Sequence, residues 1–88
     1  MYIQNEIERY ERKIKMCFGM MESMAHSIIS YSQNADDCLK RDGSQDDIAL
    51  RANIRKIYHI SASHGETYRR INDYRDKIRE LRSQLEAA

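Results

Sequence analysis

The sequence predicts an all-α protein: an antiparallel two-helix hairpin, coiled-coil-like, that completes a four-helix bundle with itself or with a partner. Two long, mostly apolar stripes repeat at helical rather than strand spacing. A short polar segment containing a glycine separates them. The 88 residues include no Pro, no Trp and 3 Gly, too few turn formers for the reversals of a β-sandwich or barrel.

The first helix is predicted over about 2–41. Ile7, Ile14, Met21, Ile28 and Ala35 stand seven apart, as do Ile3, Tyr10, Cys17, Met24, Tyr31 and Cys38. Interleaved, the two series step by four and three, the signature of a helix whose seam meets another helix. The turn is expected over about 42–45. Gly43 suits the left-handed residue that ends a helix. Ser44 suits the next N-cap, with Asp47 three residues on as in a capping box. Lys40 and Arg41 complement a helix C-terminus and Asp46 and Asp47 an N-terminus, whereas Asp36 and Asp37 oppose theirs. The second helix is predicted over about 46–86, on the stripe Leu50, Asn53, Ile57, Ile60, His64, Thr67, Ile71, Tyr74, Ile78, Leu81 and Leu85. That stripe is apolar towards its C-terminal end and polar at Asn53, His64 and Thr67. All 88 residues are read as one domain.

A short loop makes consecutive helices antiparallel. Facing residue numbers should then add to about 88, which sets large apolar residues opposite one another. Ile3 would meet Leu85, Tyr10 would meet Ile78, Ile14 would meet Tyr74, and Tyr31 would meet Ile57. Large apolar residues remain off the stripes. Met16, Phe18, Met20, Ile29, Ile54, Tyr58 and Tyr68 are the candidate partner-binding residues, expected to form an apolar surface near the middle of the hairpin. Met16, Met20, Met21 and Met24 cluster there, and flexible thioethers adapt to irregular partner surfaces. Gly19 and Gly65 fall mid-helix at similar levels. A mid-helix glycine costs about 1 kcal/mol relative to alanine, so the pair predicts a close backbone approach or a bend.

The sequence offers little for other chemistry. Cys17 and Cys38 have no metal-ligand spacing and read as reduced, buried small hydrophobes. His64 would face Met21 and Met24 near Cys17, a soft donor set. A lone His on a stripe reads first as a hydrogen-bonded core residue, here with Thr67 as partner, so no metal and no cofactor are expected. No carboxylate lies on a stripe, no glycine-rich phosphate loop is present, and a narrow hairpin has no cleft. No catalytic residue and no small-molecule substrate are therefore expected. Lys+Arg total 15 against 14 Asp+Glu, a net charge of +1. The basic residues of the free end alternate with acids, at spacings that suit Asp73–Lys77, Asp76–Arg79 and Glu8–Arg12 pairs. Nucleic acid is accordingly not the expected partner. No apolar run suits a membrane span, and the N-terminus lacks the pattern of a signal peptide. The expected location is the cytoplasm, with signal-independent export left open.

Size, hairpin pattern and the turn at Gly43 together resemble the WXG100-like small proteins of type VII secretion, and in particular the helical accessory proteins encoded beside LXG toxins. Trp-x-Gly is absent. The Tyr-xxx-Asp/Glu export signal is also absent, since Tyr68 is followed at that spacing by Asn72 and Tyr74 by Ile78. The resemblance implies a targeting factor or chaperone that packs beside a toxin's helical N-terminal domain. The expected function is thus a non-enzymatic protein–protein interaction module, an adaptor or chaperone-like secretion accessory. The alternatives are a small phage- or host-encoded inhibitor of a larger complex, or a homo-oligomeric structural coiled coil.

Overall fold

The computed structural model describes the backbone of residues 2–41 and 44–87 and the side chains of residues 2–41 and 47–87. It is an antiparallel helical hairpin, as the two stripes predict. Helix α1 spans Tyr2–Lys40 and helix α2 spans Ser44–Ala87, with no strand among the described residues. Neither helix contains proline, so each hydrogen-bond ladder runs unbroken. The Arg41 amide donates to the Cys38 carbonyl at 3.2 Å. This shorter-range bond tightens the last turn of α1 and satisfies a carbonyl that would lack a helical partner. The left-handed cap expected at Gly43, the Ser44 cap with its Asp47 partner, and the charges of Asp42 and Asp46 lie outside the described residues.

Packing divides the chain into two compact units. Unit 1 joins the residues up to Met21 with those from Glu66 onward, and unit 2 is Glu22–Gly65.

In unit 1 the seam is the predicted one. Ile7, Cys17, Thr67, Ile71 and Ile78 are buried, and Ile71 is the most enclosed at 1% exposed. Ile3, Tyr10, Ile14, Met21, Tyr74 and Leu81 are half-buried around them. Full burial of one such aliphatic side chain contributes about 1.5–3 kcal/mol. The Tyr10 and Tyr74 rings lie 5.7 Å apart, and Lys13 places its ammonium 5.3 Å and 5.6 Å from the two ring centres. Tyr10 therefore reaches Tyr74, one layer from its expected partner Ile78. Adjacent seam layers are about one 5.4 Å turn apart, within the span of a tyrosine side chain. Leu85, expected at the seam, is exposed at the end of the stripe.

In unit 2, Ala35 and Cys38 are buried, and Met24, Ile28, Tyr31, Leu50, Asn53, Ile57, Ile60 and His64 are half-buried. Lys56 sets its ammonium 5.1 Å from the Tyr31 ring centre, in keeping with Tyr31 facing Ile57. Asn53 solves its own polarity: its amide nitrogen donates to the Ala49 carbonyl one turn back, at 2.9 Å. Among the described residues no buried side-chain nitrogen or oxygen lacks a hydrogen-bond partner.

The glycines do not mark the close approach that their positions suggest. A Cβ built at Gly19 or at Gly65 would meet nothing within 4 Å, and neither residue has positive φ. Both sit in ordinary helix beside open space.

Candidate protein-binding flanks

A simple rule sorts the surface of each unit. A helix turns about 100° per residue, so the residue after a seam position points to one side of the seam and the residue before it to the other. In an antiparallel pair the after-positions of both helices share one flank, because reversing chain direction also reverses the sense of rotation. Contacts in unit 1 confirm the rule. Phe18 follows Cys17 and Arg75 follows Tyr74, and the Arg75 guanidinium lies 5.7 Å from the Phe18 ring centre. Glu11 follows Tyr10 and Arg82 follows Leu81, and these two form an ion pair across the seam at 3.3 Å. We call this side the trailing flank and the other the leading flank.

All seven candidate residues are exposed, from 44% at Met20 to 73% at Tyr58. They do not form a single surface. In unit 1, Phe18 and Tyr68 occupy the trailing flank at nearly the same level, while Met16 and Met20 precede Cys17 and Met21 and so occupy the leading flank. In unit 2, Ile29, Ile54 and Tyr58 follow Ile28, Asn53 and Ile57, and all three share the trailing flank. The leading flank there is built from small polar residues on α1, namely Ser23, Ser27, Ser30 and Asn34. Unit 2 thus has a trailing side that is apolar at its centre and a polar leading side on α1.

Three further exposed apolar side chains escaped the sequence reading: Tyr2, Leu39 and Ile48. All three are off-stripe residues near the chain end or the turn, away from the middle of the hairpin where the candidate residues cluster. The Phe18–Arg75 stacking was also not legible, since it depends on how far a guanidinium reaches across the seam.

Several basic side chains of unit 1 are paired with acids. Arg9 binds Glu6 at 3.3 Å, Arg70 binds Glu66 at 3.5 Å and Arg79 binds Asp76 at 3.4 Å. Lys77 pairs with Glu80 at 3.6 Å, where spacing also allowed Asp73. Arg75, Arg79 and Arg82 line a shallow groove of about 450 Å³ together with Glu11, Ile78, Ser83 and Glu86. In unit 2 the Asp36–Lys40 pair closes to 3.1 Å and Asp47–Arg51 to 3.4 Å. The hydrogen bond from Lys40 to Asp36, and then the Asp36 charge, hold the Lys40 ammonium above the usual lysine range. The contribution of a group raised in this way is present below its unfolded pKa and is lost as pH climbs through its folded one.

Cys17 and Cys38 are free, buried thiols, and the Cys38 sulfur accepts from the Arg41 guanidinium at 3.6 Å. Among the described residues no group of three or more His, Cys, Asp or Glu could hold a metal ion, and no helix is long and apolar enough to cross a membrane.

No family model, no curated protein and no solved structure matches this chain.

Proposed function

We propose that this protein is a non-catalytic helical binding module, an adaptor or chaperone-like accessory factor for another helical protein. One observation carries the reading. Phe18 and Tyr68, each about half exposed, both follow seam residues and fall on the trailing flank of unit 1 at nearly the same level. Exposed aromatic side chains beside an apolar seam offer contact area that a partner helix can bury. Arg75, stacked over Phe18, supplies a cation beside that area. The resemblance to the accessory proteins of LXG toxins names the partner to try first, a toxin's helical N-terminal domain met in the cytoplasm before signal-independent export.

The test is coexpression with the products of neighbouring genes, followed by size-exclusion chromatography with light scattering. A complex should form and should be lost in the double variant Phe18→Glu, Tyr68→Glu, with helicity by circular dichroism unchanged. Met16→Glu with Met20→Glu, on the other flank, should leave it intact. If the first variant binds as well as the parent, the aromatic flank is not the docking site. The groove of unit 1, lined by three arginines and two glutamates, favours a second reading, an inhibitor that docks through its charged face. For that reading Arg79→Glu would be the sensitive change and Phe18→Glu the silent one.

A further inference from the structure

We infer that the trailing flank of unit 2 is the self-association surface of this protein, and that a second copy packs on it about a two-fold axis running along the helices. This rests on the reading of the protein as a binding module and assigns the occupant of one flank.

The flank is apolar where a partner would sit. Between the charged after-seam positions Glu22, Asp36 and Arg51 lie Ala25, Ile29 and Ser32 on α1 and Ile54, Tyr58 and Ser61 on α2, six central positions without charge in a chain that is 33% charged. Ile29, Ile54 and Tyr58 are each more than half exposed. An uncharged patch does not repel its own copy, which an isologous contact requires.

The ends of the patch select the partner and its orientation. Lys56 over Tyr31 sets the level of one helix against the other. Two steps back from Tyr31 and two on from Lys56 bring Ile29 level with Tyr58. Five steps on from Tyr31 and five back from Lys56 bring Asp36 level with Arg51, and four more bring Lys40 level with Asp47. The two intrahelical pairs, Asp36–Lys40 and Asp47–Arg51, therefore stand at matching levels of the two helices with opposite polarity. A two-fold axis along the helices lays α1 of one copy on α2 of the other at the same level. Ile29 then meets the second copy's Tyr58, Asp36 meets its Arg51, and Lys40 meets its Asp47. Each contact occurs twice, giving an apolar centre closed by a ring of alternating charges. A two-fold axis perpendicular to the helices and centred on Ile29 would instead set Asp36 against the second copy's Glu22. Like charges placed opposite one another suppress that arrangement.

The experiment uses the full chain in light scattering after size exclusion, at micromolar to sub-millimolar concentration. The parent should run at twice the chain mass. Ile29→Glu with Tyr58→Glu should give a monomer of unchanged helicity. Exchanging the α1 pair alone, Asp36→Lys with Lys40→Asp, keeps the intrahelical bridge but opposes like charges across the interface. It should weaken the dimer about tenfold or more. Adding Asp47→Arg with Arg51→Asp should restore it. A monomeric parent would overturn the inference while leaving the Phe18–Tyr68 docking site standing. A dimer indifferent to Ile29→Glu with Tyr58→Glu, or a double exchange no tighter than the single one, would overturn it as well.

Discussion

At the scale of single residues, burial separates side chains that hold the fold from those left at the surface. Ile71 is 1% exposed at the centre of the unit 1 seam. Ile71→Ala removes buried methyl groups and leaves a cavity, at a cost of about 2–5 kcal/mol. A single small core rarely supplies more than about 3–5 kcal/mol, so this one change should bring the urea midpoint close to zero. Ile54, the same residue type at 53% exposed, has no such role in the isolated chain. Ile54→Ala should change the unfolding free energy by less than about 0.5 kcal/mol when measured on monomer. The seam and off-seam assignments of these two isoleucines were both legible from spacing alone. The 5.7 Å Tyr10–Tyr74 contact was not, because ring size rather than spacing decides which layers touch.

At the scale of the helices, the glycines give the sharpest expectation. Helical φ/ψ and open space around the missing Cβ mean that alanine adds helix propensity without a clash. Gly19→Ala and Gly65→Ala should each stabilise by about 0.5–1 kcal/mol. For a domain of this size that raises the melting temperature by roughly 4–8 °C per kcal/mol. A fall in melting temperature for either variant would restore the close approach that the sequence suggested. The helices also show how ion pairing depends on side-chain reach. Spacing allowed Asp73–Lys77, yet Lys77 turns to Glu80. Exposed pairs of this kind differ by only a few tenths of a kcal/mol, so spacing does not rank them.

At the scale of the whole molecule, folding and association should be linked. Each unit buries a single seam, and only seven described side chains are buried altogether. A second copy that binds the folded state stabilises it by mass action. The melting temperature of the parent should therefore climb by several degrees across a hundredfold range of protein concentration. That of the Ile29→Glu, Tyr58→Glu variant should stay flat. A parent whose melting temperature ignores concentration would separate folding from self-association.

The sequence by itself determined the class of structure. Two stripes at three- and four-residue spacing, without proline, admit only long helices, and one short break between them makes those helices antiparallel. It also determined which residues lie off the seam, because periodicity alone decides that. The side of the seam on which each off-seam residue falls follows from the same stripes once the helices are antiparallel. Only the tertiary structure decided which side chains meet: Tyr10 reaches Tyr74, Arg75 lies over Phe18 and Arg82 pairs with Glu11 across the seam. The physical reason is that side-chain reach and the level of one helix against the other decide such contacts, and neither stripe carries that information alone.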